Sequence, residues 1–127
     1  MAKKFGKIRV STAGTTFDGR QGKLMYARRY ANSIYLTLRR EPNNTEDPNA
    51  VAILCHIPPC NLTFKAGYIP RPKALWISKV IDSGRIIRTS HPAIVGGYGE
   101  KSLGLHFDLC YELPESATAP AQVASAQ

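Results

Sequence analysis

Residues 7–12 alternate, with Ile8 and Val10 on one side and Lys7, Arg9 and Ser11 on the other, the period of a half-buried strand. Gly14, Asp18, Gly19 and Gly22 interrupt that pattern and predict a loop or bulged turn. Residues 24–30 and 34–40 are aliphatic and aromatic runs joined through Ala31-Asn32-Ser33. They predict a hairpin with Asn32 at a positive-φ turn position. In its second arm Ile34, Leu36 and Leu38 share one face, and Tyr35, Thr37 and Arg39 the other. Residues 41–49 (Glu-Pro-Asn-Asn-Thr-Glu-Asp-Pro-Asn) are turn-forming throughout. The mostly apolar run 50–57 predicts a central strand that ends at Pro58-Pro59, and 62–69 another that ends at Pro70.

Pro70-Arg71-Pro72 opens the one segment that reads clearly as a helix, with Gly84 just past its end near Ser83. Ala74, Ile77 and Ile81 share a face beside Trp76 and Val80, so the helix lies on a sheet with Lys73, Lys79 and Asp82 outward. Residues 85–88 and 105–111 add short strands, with the flexible Gly96-Gly97-Tyr98-Gly99 between them. About seven strands and one main helix predict a mostly β fold, a small, partly closed, OB-like β-barrel over residues 1–112. Residues 113–127, rich in Ala, Pro and Ser, predict a disordered tail.

Charge narrows the partner. The 127 residues carry 17 Lys+Arg against 9 Asp+Glu, a net +8, with 43% hydrophobic positions. Residues 1–90 hold sixteen of the basic residues and five acids, a balance of +11, while residues 91–127 come to −3. A surplus concentrated in this way favours a polyanion. No apolar run approaches the length of a membrane span, so no membrane partner is expected. The opening residues lack the apolar stretch of a secretory signal, and three cysteines make no disulfide framework. A cytoplasmic protein, nucleoid-associated if bacterial, is the expectation.

Chemistry is sparse. There is no phosphate-binding glycine motif with its lysine, no Gly-x-Ser-x-Gly and no His-Glu-x-x-His, so neither catalysis nor a cofactor is expected. Cys55, His56, Cys60, His91, His106 and Cys110 lack the spacing of a zinc site, and cysteines inside apolar strands are ordinarily core residues. What remains is a set of aromatic residues among cations. Phe17 stands near Arg20, Tyr26 and Tyr30 flank Arg28 and Arg29, Tyr35 shares a face with Arg39, and Tyr68 precedes Arg71 and Lys73. Single strands are held by this combination of flat rings and phosphate-binding cations.

Three segments, in order, resemble the HIRAN domain. They are Thr16-Phe17-Asp18-Gly19-Arg20-Gln21; the stretch from Leu38 through Arg40-Glu41-Pro42-Asn43, Asp47 and Asn49-Ala50-Val51 to Ile53; and Gly67-Tyr68-Ile69-Pro70-Arg71 leading to Ala74. The resemblance covers residues 7 to 90 or so and is that of a standalone, bacterial or phage-type member. It implies an OB-like barrel that binds single-stranded DNA, or another nucleic acid, through a pocket for a free 3′-hydroxyl end. It also implies a setting in DNA repair, alongside a helicase, nuclease or larger nucleoprotein complex. By the same resemblance Asp47 matches the acid on the terminal sugar, Arg71 a phosphate contact, and Tyr68 the ring position after the glycine. Phe17 lies beside an aromatic position. Arg20, Arg40 and Lys73 are added as neighbouring cations, Arg40 also being a candidate partner for Glu41 or Asp47. Thr15-Thr16 and Glu46 stand where DNA-end-binding members carry Arg-Tyr and an aromatic. An alternative is an interaction subunit of a larger nucleoprotein or DNA-processing complex, docking through strand edges and residues 94–98.

Overall fold

The computed structural model describes residues 3–99 and 101–114; the expected tail lies, from residue 115 on, outside the described residues. Among the described residues, six strands form two antiparallel three-stranded sheets. One has β1 (Phe5–Ser11), β6 (Leu103–Glu112) and β5 (Ile87–Gly96) in the order β1-β6-β5. The other has β2 (Tyr35–Arg40), β3 (Val51–Ile57) and β4 (Leu62–Tyr68) in the order β2-β3-β4. In the central strand β6, Leu103, Leu105, Phe107, Leu109 and Tyr111 are buried while the residues between them are half-buried, the period-2 pattern of a strand packed chiefly on one face. Leu103, Leu105, Phe107 and Leu109 meet Val10, Leu36, Val51, Ile53, Cys55 and Ile57 in one core, while Tyr111 packs in a second, smaller cluster with Val80 and Leu113.

The sheets touch without closing into a barrel. Ala13 pairs with Tyr68, its N–H donating to the Tyr68 carbonyl at 2.8 Å and its carbonyl accepting at 2.9 Å. Thr89 Oγ1 donates to the Leu36 carbonyl at 2.7 Å, joining β5 to β2. The result is a small OB-like β fold.

Two α-helices complete it among the described residues. The later one, α2 (Arg71–Asp82), matches its expected span and buries Ala74, Ile77 and Val80. The earlier one, α1 (Arg20–Arg28), replaces the first arm of the expected hairpin. Its buried residues Arg20, Leu24 and Ala27 recur at helical spacing, and that burial period decides the element over the short apolar run Leu24-Met25-Tyr26. Asn32 correspondingly does not take positive φ; among the non-glycine residues described, Asp18, Asn61 and His91 do. The strand expected at residues 85–88 runs instead from Ile87 to Gly96 across a register shift between Ser90 and Ala93. Leu113 still belongs to the fold: its side chain is buried and its N–H donates to the Lys4 carbonyl at 2.8 Å.

Candidate nucleic-acid interface

Three segments build one hollow. The first is the approach to α1, where Asp18 and Gly19 both take left-handed backbone angles and turn the chain into the helix. Arg20 folds back to fix that turn, donating from one guanidinium nitrogen to the Gly14 carbonyl at 2.7 Å and from the other to Asp18 Oδ2 at 3.3 Å. Gln21 ties the helix to β6 through Leu103, donating to its carbonyl at 2.8 Å and accepting its N–H at 2.7 Å. Phe17 is left 65% exposed at the rim.

The second segment is the turn between β2 and β3. Asn44 Oδ1 accepts the backbone N–H groups of Glu46 and Asp47 at 2.9 and 3.1 Å. Asp47 Oδ1 accepts that of Asn49 at 2.9 Å, an Asx turn. The motif thus shapes its own loop. Asp47 is half-buried, and its Oδ2 makes no hydrogen bond among the described residues.

The third segment is the end of β4 and the start of α2. Gly67 passes so close to the Ala13 carbonyl that a Cβ there would collide with its oxygen, which accounts for glycine in Gly-Tyr-Ile-Pro-Arg. The Tyr68 hydroxyl donates to Glu41 Oε1 at 2.8 Å and accepts from Lys65 Nζ at 2.9 Å. Lys65 Nζ also reaches Glu41 Oε2 at 2.6 Å, and Asn44 Nδ2 donates to Oε1 at 3.1 Å. Burial works to raise the Glu41 pKa, but the hydrogen bonds from Lys65, Asn44 and Tyr68 outweigh it and hold the carboxyl at about 2. The hydrogen bond to Glu41, and after it that to Tyr68, raise the Lys65 pKa. Tyr68 is therefore locked in place, with the Arg20 guanidinium carbon 5.7 Å from its ring centre.

These segments enclose a hollow of about 570 Å³ lined by Phe17, Arg20, Asp47, Tyr68, Ile69 and Arg71, among others. That volume lies within the range of small-molecule sites. Five of the seven expected site residues converge there. Arg40 and Lys73 do not line it. Arg40 instead grips Asp82 with two hydrogen bonds, at 2.9 and 3.3 Å, and donates to the Ala50 carbonyl at 2.8 Å. Its partner is thus Asp82, and neither Glu41 nor Asp47. Lys73 sits half-buried in the first turn of α2.

The charge of the hollow runs against the positive balance of residues 1–90. Arg20 and Arg71 face Asp18, Glu46 and Asp47, a formal balance of −1. Arg20 has already committed donors to Gly14 and Asp18, whereas exposed Arg71 makes one long hydrogen bond, to the Glu46 carbonyl at 3.3 Å. Arg71 is the cation most available to a ligand. Glu41, Asn44 and Lys65 escaped sequence reasoning because Lys65 and Tyr68 join Glu41 from a different strand; the Glu inside Arg-Glu-Pro-Asn was the signal that could have found them.

Among the described residues, no group of three His, Cys, Asp or Glu could hold a metal ion. Cys55 is buried, and burial pushes its thiol up to about 11. Cys60 and Cys110 are half-buried. Among the described residues, no helix is long and apolar enough to cross a membrane.

The family model for the HIRAN domain matches residues 5–109. A crystal structure of a protein from Lactobacillus plantarum is similar in fold at 19% identity and a TM-score of 0.57, over 85% of this chain and 98% of that one. No curated protein matches the chain. The motif-built hollow and the extent of the family match lead to one assignment: the chain belongs to the HIRAN domain family, a nucleic-acid-binding family.

Proposed function

We propose that this protein is a non-catalytic module that binds single-stranded DNA and receives a free 3′-hydroxyl end in the hollow. The observation that carries this reading is that Phe17, Asp47, Tyr68 and Arg71, from three separate segments, line one accessible cavity. Each supplies something a strand terminus needs. Phe17 and Tyr68 offer ring faces to bases, and Arg71 offers a cation to phosphate. Asp47 offers a carboxylate oxygen to a hydroxyl donor.

The acidic lining sharpens the expected selectivity. A 3′-hydroxyl can donate to Asp47, whereas a 3′-phosphate brings negative charge against Asp18, Glu46 and Asp47 together. Fluorescence anisotropy with labelled strands tests this directly. The 3′-hydroxyl strand should bind best, a 5′-phosphate should change little, and a 3′-phosphate should weaken binding. Equal affinity for both 3′ forms removes end recognition; an RNA strand in the same series reports the sugar preference. Incubation with Mg²⁺ or Mn²⁺ should leave the DNA intact.

One observation favours a second reading, an interaction subunit of a larger nucleoprotein complex. Tyr98 is 77% exposed, in the loop after β5, and Arg28 lies 5.8 Å from its ring centre. Absence of DNA affinity at low salt, with partners co-purifying from the host, would favour that reading.

A further inference from the structure

Beyond the terminal hollow, the outer face of the β2-β3-β4 sheet carries a second set of rings and cations. Tyr35 pairs across the strands with His56, and their rings stack with centres 4.5 Å apart and planes 6° from parallel. The imidazole is held from both sides. Thr37 Oγ1 lies 2.7 Å from Nε2 and Thr63 Oγ1 lies 3.0 Å from Nδ1. Two threonines on flanking strands thus fix the ring against which Tyr35 rests. Tyr35 remains 51% exposed, so the platform is rigid yet open.

The same face leads back to the hollow. Thr37 and Arg39 follow Tyr35 at alternate positions of β2, and the register places Leu54 opposite both Thr37 and Lys65. Lys65 then bonds Tyr68, which lines the hollow. The exposed Arg39 shares the Glu41 carboxylate with Lys65, at 3.4 and 2.6 Å, so this group of three keeps one net positive charge. Along β3, the partners of Tyr68 and Tyr35 are Ala52 and His56, four residues apart. At about 3.3 Å per residue that is about 13 Å along the strands, and because Tyr35 and Tyr68 also lie two strand spacings of about 4.8 Å apart, the platforms are about 16 Å from each other.

We infer that a single strand whose 3′ end sits in the hollow continues across this sheet face, its phosphates passing Lys65 and Arg39 and an upstream base stacking on Tyr35. The inference rests on the reading of the hollow as a strand-end site. Continuity with that site and the positive charge between the two ring platforms select a nucleic-acid strand as the occupant. At the stacked spacing of about 3.4 Å per nucleotide, about 16 Å spans at most about five nucleotide steps. The bound length is then about six nucleotides, terminal ones included, within the range of OB-type sites.

The test uses 5′-fluorescein-labelled oligothymidines of two, four, six, eight and ten nucleotides, each with a 3′-hydroxyl, against the full chain. Affinity should rise at least about ten-fold between two and six nucleotides and then level off. Tyr35→Ala should lower six-nucleotide affinity about five-fold or more and leave two-nucleotide affinity unchanged, because Tyr35 lies outside the hollow. His56→Ala should act in the same direction by releasing the platform. A flat length series, or a length gain that Tyr35→Ala and His56→Ala both leave intact, overturns the track. If eight nucleotides bind in a Tyr35-dependent way but equally with a 3′-hydroxyl and a 3′-phosphate, the strand's passage over Tyr35 stands and the placement of its 3′ end in the hollow falls. If no length binds, both fall.

Discussion

The hydroxyl of Tyr68 donates to Oε1 of Glu41 at 2.8 Å, which anchors a ring of the candidate site to the turn that carries Asp47. The glutamate of Arg-Glu-Pro-Asn is thereby a positioning residue. It accepts hydrogen bonds from Lys65 and Tyr68, and from Asn44 of the turn itself.

Glu41→Gln should destabilise the fold by about 1–3 kcal/mol at pH 7, because Lys65 loses its carboxylate in a half-buried setting. The pH dependence has a definite sign. A folded-state carboxyl held at about 2, against an ordinary 4.5, contributes stability that is full above about pH 4.5 and lost as the pH falls through 2. Urea unfolding of both proteins at pH 7 and pH 3 should show the gap between them narrowing in acid. A gap that widens there means Glu41 is not the stabilising ion.

Gly67→Ala should cost about 1–3 kcal/mol, because a methyl group meets the Ala13 carbonyl and pushes the two sheets apart at their shared bridge. Thermal unfolding measures this, and an unchanged Tm argues against a tight crossing there.

Phe17→Ala should leave the unfolding midpoint near that of the wild type, since the ring is mostly solvent-exposed. Binding of single-stranded DNA should weaken by about 1–3 kcal/mol, the range for loss of one base-stacking ring. The opposite pattern, lost stability with intact binding, assigns Phe17 to packing.

Arg71→Ala should weaken every strand to a similar extent, whatever its 3′ group. The slope of log affinity against log salt should become shallower by about 0.7, one phosphate contact on a single strand. An unchanged slope means that Arg71 does not meet a phosphate.

Much of the fold was legible because burial follows simple periods. Strand alternation placed β1, β2 and β6, and the Pro and Gly at its ends placed α2. The first helix was not legible: its buried face contains an arginine, and Leu24, Met25 and Tyr26 in succession mimic a strand. Of the candidate site, Phe17, Arg20, Asp47, Tyr68 and Arg71 were legible through the motifs, and the structure gathers them at one cavity. Arg40 was misplaced because its true partner, Asp82, comes from the far end of α2. The acidity of the lining was hidden for a related reason. Charge summed along a chain does not say which side chains face one cavity, and three of the five acids among residues 1–90 do.

In the proposed function Asp47 reads the free 3′-hydroxyl, and Asp47→Asn isolates that role. Asparagine keeps an oxygen for the Asn49 N–H, so the turn survives while the charge is lost. The decisive quantity is the ratio of affinities for 3′-hydroxyl and 3′-phosphate strands, measured by anisotropy on both proteins under identical salt. The wild type should favour the hydroxyl end about ten-fold, an energy of about 1.4 kcal/mol, as expected for a hydrogen bond to a charged group. In Asp47→Asn the ratio should fall toward one with little change in unfolding midpoint. A wild-type ratio already near one, or one that the substitution leaves untouched, contradicts the claim.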